Sequence, residues 1–398
     1  MASYSMQPVF ITAMTITTAL GRGLCASRLA LEAMRPGLSP NDFEDSALEG
    51  YIGRVAGLED EPLITSLAEF DCRNHRLAQL SLRQDNFEAA VARARARYGP
   101  SRIAVLMGTT TAGMHSAEVA YRERKDPEAP LPSWFSYRHT QNLFSAADFV
   151  RQYLHLGGPA VAVSTACSSS AKVFASAYRY LCTGFCDAAV VGGVDSLCLT
   201  ILYGFAALEL VSRHPCRPCD VTRDGISIGE GAGFALLERE GYSDIALLGY
   251  GESSDGYHMS SPHPEGVGAW LALQQALDRA HLTPADIDYI NLHGTGSPLN
   301  DKAEDQAIFR LFGNQVPVGS TKGWTGHTLG AAGVIEAILC GLCLQHDFLP
   351  GTLNTTVVDP ALRCQVLLRS EPRAIRYVIS NAFGFGGANC CLVLGKAA

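Results

Sequence analysis

A chain of 398 residues, 47% hydrophobic and 18% charged, can bury a large shared core, which excludes an intrinsically disordered protein. A formal net charge of −8 with no concentrated basic segment excludes a nucleic-acid binder, because neutralising a phosphate backbone needs a basic face. The 13 cysteines show no small-scaffold spacing, the N-terminus lacks a charged-then-apolar leader, and no apolar run approaches the roughly 18 residues of a membrane span. A cytoplasmic protein with free thiols and no membrane span is the expectation.

In chain order, short Val/Ile/Ala-rich runs alternate with longer amphipathic stretches. RIAVLMGTT (102–110) and PAVAVSTA (159–166) predict buried strands on either side of a helix over 141–155. A small-residue turn follows and opens a helix over 170–183, then come strands DAAVVGGVDS (187–196) and GAGFALLERE (231–240). Residues 241–262 cross to a second half. This half holds helices over 267–281, 300–312 and 333–345 and strands DIDYINLH (286–293) and RYVISNAF (376–383). The alternation predicts an α/β protein with buried sheets. Both halves end in a glycine-rich strand-turn-strand, ISIGEGAGFALLE and ISNAFGFGGANCCLVL, a sign of duplicated architecture.

Three positions carry the chemistry. Cys167, in VSTACSSS, sits where a strand runs out and a helix begins. Unpaired N–H groups and the positive end of the macrodipole there favour a thiolate, so its pKa is expected to fall and an oxyanion could be stabilised. Ala166 and Ser168 to Ser170 are expected to leave room for a substrate. His293 ends a strand and enters GTGSPLNDKAED, whose helix is expected to be capped by Asn300 or Asp301; it faces the crevice where open α/β sheets bind ligands. His327, in STKGWTGHTLGAAG, shares a turn with Lys322 and precedes small residues suited to close backbone approach.

Other features carry less. GEGAG (229–233) and GFGG (384–387) lack the spacing of a phosphate loop. Cys216 and Cys219 form one CRPC pair without a second pair, so no metal is expected. Cys182, Cys186, Cys390 and Cys391 are read as core filling.

STACSSS, HGTGSPLNDKAED, STKGWTGHTLGAAG and NAFGFGGAN, in that order and with RPCDVTRDGISIGEGAG between them, resemble the motifs of β-ketoacyl-[acyl-carrier-protein] synthases of the Cys-His-His elongating class. The resemblance covers nearly the whole chain. It implies a thiolase-type α/β fold of two similar halves, 1–245 with the nucleophile and 246–398 with both histidines, in five α-β-α-β-α layers, assembled as a dimer. It implies that Cys167 takes an acyl group from the phosphopantetheine arm of an acyl carrier protein, no other cofactor being needed. Decarboxylation of malonyl carrier protein then leaves an enolate facing N–H groups of His293 and His327, and the carbanion attacks the Cys167 thioester. Backbone N–H groups of Cys167 and Phe385 would hold the tetrahedral oxyanion. The resemblance further pairs Lys322 with Glu304, makes Phe385 a gate, and assigns substrate contacts to Thr295, Ser297, Phe205 and Asn381.

Two departures stand out. Ser297 replaces the usual Thr, and carrier-binding synthases often have a basic residue near the position of Glu209, which leaves Arg73, Arg76 or another basic group for carrier docking. The short form, CRNHRLAQ (72–79) and Ser297 resemble accessory synthases of aryl polyene or related polyketide-like clusters, with a chain-length-factor homologue as an alternative to a homodimer. A degradative thiolase would carry a late C-x-G cysteine and an initiating synthase Cys-His-Asn. A chain-length factor would lack the nucleophile, and a cysteine hydrolase has no need of two histidines and a lysine.

Overall fold

The computed structural model describes residues 6–397, and its strands form where small and β-branched apolar residues run continuously. β1 (Val9–Thr18), β2 (Ile103–Gly108), β3 (Ala160–Val163), β4 (Ala188–Asp195) and β5 (Gly231–Glu238) form a sheet in the order β3-β2-β4-β5-β1. β6 (Ile245–Ser254), β7 (Tyr289–Asn291), β8 (Pro317–Gly319), β9 (Tyr377–Gly384) and β10 (Ala388–Lys396) repeat it as β8-β7-β9-β10-β6. Pairing sense repeats too. β2 and β7 are each parallel to both neighbours, and β5 and β10 antiparallel to both. The halves are therefore topological copies, joined where Val9 and Phe10 pair with Leu247 and Ala246. Part of the segment expected to cross between halves is thus β6, the first strand of the second set.

The site-bearing helices are α1 (Arg73–Leu82), α2 (Phe144–Tyr153), α3 (Ser169–Cys182), α4 (Leu199–Ala207), α5 (Val267–Ala280), α6 (Pro298–Phe312) and α7 (Ala332–His346). Period-two alternation sorts each strand between cores. Ile103, Val105 and Met107 of β2 pack outward with α1 and α2, while Ala104 and Leu106 pack inward on α3 and α7. In the second half Ile379, Cys391 and Val393 face α5 and α6, while Val378, Cys390 and Leu392 face the shared middle. Five layers result, in the thiolase-type arrangement, with α3 and α7 sandwiched between the sheets. Both faces of each sheet are covered, which is why the strands read as apolar runs.

The middle layer needs close backbone approach. A Cβ on Gly333 would lie 2.5 Å from the Ala171 backbone nitrogen, so α7 meets α3 there only through glycine. Truncating a middle-layer side chain such as Leu342, 1% exposed, would cost about 2–5 kcal/mol.

Three expectations are corrected. Leu329–His346 is an 18-residue helical stretch apolar enough to cross a bilayer, but 89% of it is buried, as suits a helix with a sheet on each side. Cys182 ends α3 at the surface and is exposed, whereas Cys186, Cys390 and Cys391 are core residues. The helix after His293 starts at Pro298 and has no side-chain cap, because proline supplies the φ of a first turn and Asp301 is engaged elsewhere.

Candidate active site

Between β3 and α3 the chain turns sharply through Ala166, whose φ of 51° is left-handed for a non-glycine residue. Serines fasten this turn. Ser168 Oγ donates to the Thr165 carbonyl at 2.9 Å, and Ser169 Oγ accepts from the Thr165 N–H at 2.9 Å. Ser168, Ser169 and Ser170 are fully buried, so they lock the elbow and do not make room for a substrate. The elbow presents Cys167 at the mouth of α3, where its own backbone N–H and that of Phe385 favour the charged form of the sulfur.

The thiol is not acidified. Burial pushes Cys167 up to about 11, and the Lys322 charge and the N–H groups of Phe385 and Cys167 offset only part of that. The expected thiolate is corrected accordingly: desolvation outweighs the helix terminus. A base is needed, and His327 Nε2 lies 3.0 Å from Cys167 Sγ. Burial first, then Lys322, hold His327 well below the ordinary histidine range, so it rests as a neutral imidazole able to accept a proton. The other half of the molecule pins it: His327 N–H donates to the Ser227 carbonyl at 2.7 Å, and its carbonyl accepts from Gly229 N–H at 3.0 Å.

His293 stands edge to face with His327, ring centroids 5.3 Å apart. Its backbone N–H and that of Gly294 each donate to a Glu304 oxygen at 2.8 Å. Lys322 Nζ lies 3.4 Å from His293 Nδ1. An ammonium can only donate, so Nδ1 is the acceptor and the proton sits on Nε2. Burial, Lys322 and His327 keep His293 neutral.

The expected Lys322–Glu304 ion pair is not formed. Lys322 is paired with Glu336 of α7, both buried, while Glu304 is held by backbone N–H groups and by Asn381 Nδ2 at 3.0 Å. The reason is direction: Glu304 leaves α6 toward the loop backbone, and Glu336 leaves α7 toward the lysine. Burial pushes Glu336 up to about 7 against the pull of Lys322. Asn381 is likewise corrected: it is fully buried against Glu304 and does not line the cavity. Glu304 belongs to a set. Asp301 accepts from Gly296 and Cys219 N–H at 3.2 and 2.9 Å, and Asp305 from Arg363 and Cys364 N–H at 2.8 and 2.9 Å. Three carboxylates of α6 thus hold the loops behind His293.

Cys167, His293 and His327 open into a cavity of about 330 Å³, lined also by Phe205, Phe385, Thr295 and Ser297. Phe205 and Phe385 rings lie 5.7 Å apart, and Thr295 Oγ1 donates to Ser297 Oγ at 3.0 Å. The Cys167, His293 and His327 donor atoms fall within 4.8 Å of one another. A divalent cation held there would meet the Lys322 ammonium beside His293, so the set suits proton and acyl transfer better than metal binding. Arg73 is corrected as a docking residue: it is buried and bidentate with Glu230 at 2.8 and 2.6 Å. Arg76 differs: it pairs with Asp71 at 2.6 Å and stays half-buried at the surface.

Sequence reasoning missed Glu336 and Asp195. Glu336 had a signal, as the lone carboxylate within the apolar AGVIEAILCGLCLQH.

Family models for the N-terminal and C-terminal domains of β-ketoacyl synthases match residues 6–241 and 245–356. A 3-oxoacyl-[acyl-carrier-protein] synthase 2 of Rhizobium meliloti (strain 1021) is 36% identical over 312 residues, 73% of each chain. The enzyme of that name from Staphylococcus aureus (strain COL) is 31% identical over 400 residues, 90% of this chain and 96% of its own. Among solved structures, a chain of the ketosynthase ApeO in complex with its chain length factor ApeC, from Xenorhabdus doucetiae, superposes with a TM-score of 0.88 at 39% identity, covering 98% of both chains.

Proposed function

The chain belongs to the β-ketoacyl synthase family, and on that premise we propose roles for its residues and a class of substrate. It catalyses decarboxylative Claisen condensation on carrier-bound substrates, in fatty-acid or polyketide-type biosynthesis. In our reading Cys167 Sγ attacks the acyl thioester while His327 Nε2 takes its proton and passes it to the departing pantetheine thiol. Malonyl thioester then loses carbon dioxide, and the enolate oxygen meets the Nε2–H of His293. Among the described residues His327 has no partner at Nδ1, so nothing there fixes its tautomer and it can also present a proton from Nε2. The carbanion attacks the Cys167 thioester, and the N–H groups of Cys167 and Phe385 hold the resulting oxyanion. Collapse expels the Cys167 thiolate, which takes up a solvent proton relayed by His327. The observation that carries this reading is a neutral imidazole nitrogen 3.0 Å from one buried sulfur.

We further propose an aryl-polyenoyl or related polyketide-type acyl chain and a heterodimer with a chain-length-factor homologue in the cytoplasm. The likeness to the ketosynthase–chain length factor structure supports the assembly, as does an asymmetry between the halves. The outer edge of β8 is covered by Gln365–Val366, while the equivalent edge of β3 has no neighbour among the described residues. An open edge of half-buried residues is a template for a second subunit. The cytoplasmic placement is supported by 13 free cysteines.

Intact-mass measurement after incubation with aromatic and aliphatic acyl carrier proteins tests the reading. Wild type should gain one acyl group and Cys167→Ala none. Acylation of the alanine variant would sink the nucleophile assignment, and loading by aliphatic chains alone would sink the substrate class.

A further inference from the structure

We propose that Asp195 is a positioning residue for the condensation, setting His327 against Cys167 by tying the nucleophile's sheet to the first turn of the helical stretch after His327. Asp195 ends β4 and is fully buried. Oδ1 accepts from Thr109 Oγ1, Thr110 N, Thr111 N and Thr111 Oγ1 at 2.7, 2.8, 2.9 and 2.9 Å. Oδ2 accepts from Thr110 Oγ1 at 2.7 Å and from Gly330 N–H at 2.6 Å. The threonines follow β2 in the first half, whereas Gly330 lies three residues beyond His327. One carboxylate therefore spans both halves at the level of the catalytic pair.

The surroundings leave it little slack. A Cβ on Gly330 would lie 2.8 Å from Asp195 Oδ2 and 2.9 Å from Thr110 Cγ2, so the segment is seated directly on the carboxylate. Leu329, between the two, is left-handed at φ 55° and buried, a conformation that persists only where the surroundings enforce it. Among the described residues every hydrogen bond to the carboxylate comes from a donor, and one of those donors belongs to a helix N-terminus. An asparagine would turn an NH2 toward Gly330 N–H and Thr110, or toward the Thr110 and Thr111 N–H groups. Either orientation pushes a donor against donors. The first frees Gly330 and lets His327 drift from the sulfur.

This inference rests on the condensation reading, so wild-type turnover with an acyl and malonyl carrier-protein pair is measured first; no turnover would sink that reading and the role of Asp195 with it. Given turnover, D195N should slow acyl transfer to Cys167 per folded site by at least about tenfold, with KM for the malonyl carrier changed less than about twofold. The same substitution in an H327A background should add less than about twofold, because its route of action is already gone, while in an H293A background it should keep most of its effect. If D195N does not fold, Thr110→Val, which removes one donor to Oδ2, takes its place with an expected two- to fivefold loss and the same dependence on background. An equal effect in wild-type and H327A backgrounds overturns the proposal. So does a loss accounted for wholly by the folded fraction.

Discussion

The two histidines are 5.3 Å apart yet are held in opposite ways. His293 is supported within its own half, by Glu304 on the backbone, Lys322 on the ring and Asn381 behind Glu304. His327 belongs to the same half of the sequence but is pinned from the other, by Ser227, by Gly229 and by the links from Asp195 to Gly330 and from Ser170 to Val334. The hydrogen bonds on His293 itself are thus local to one half, although Asp301 ties the loop behind it to Cys219, whereas those on His327 report how the halves sit together. Changes inside the second half should reach decarboxylation first, and changes where the halves meet should reach acyl transfer first.

The largest effect should come from Lys322→Ala, which removes the charge both histidines share. It leaves Glu336 buried without its partner, at a cost of about 3–5 kcal/mol by urea unfolding. Because Lys322 lowers the Cys167 pKa, its loss should also move the pH profile of iodoacetamide alkylation to higher pH. In wild type that alkylation should be slow at neutral pH and rise toward about 11, since burial keeps the sulfur protonated below that value. A neutral plateau would show that the helix terminus outweighs desolvation after all.

Glu304→Gln comes next. Losing a charged acceptor for two N–H groups should cost about 1.5–3 kcal/mol. Malonyl decarboxylation should fall about tenfold or more while acyl transfer stays within about threefold, a split that stopped-flow and mass measurements can separate. Equal losses would erase the distinction between the histidines. The smallest effect is expected for Ser170→Ala, which removes the hydroxyl accepting from Val334 N–H at 2.9 Å. About 1 kcal/mol of stability and a modest slowing of acyl transfer should result, with decarboxylation unchanged.

Much of this site was legible in the sequence because each reactive residue stands where a strand gives way to a glycine- or serine-rich turn and a helix, and periodicity locates those junctions to within a few residues. β4, read as 187–196, runs from Ala188 to Asp195, and α3, read as 170–183, from Ser169 to Cys182. What could not be read depends on the direction of a side chain or on desolvation. Glu304 and Glu336 are both carboxylates near Lys322, and only packing decides which one it meets. The Cys167 pKa turns on burial, a sum over the whole fold, and a local view of the helix terminus gives the opposite sign. Arg73 looked free because an arginine in a polar stretch is normally solvated; its burial follows from Glu230, 157 positions away.

The three carboxylates of α6 grip backbone, and an N–H group is the same whatever side chain stands above it. The loop carrying His293, Thr295 and Ser297 is therefore anchored through its backbone and can exchange cavity-facing side chains while keeping its shape, provided Gly294 and Gly296, at φ 39° and 81°, remain glycine. Ser297→Thr should leave stability within about 0.5 kcal/mol and register only in which acyl chains are accepted. Helix α6 itself has no such licence. One residue inserted between Pro298 and Asp301 would turn the carboxylates about 100° around the axis relative to the loop and loosen their hold on all the loops together.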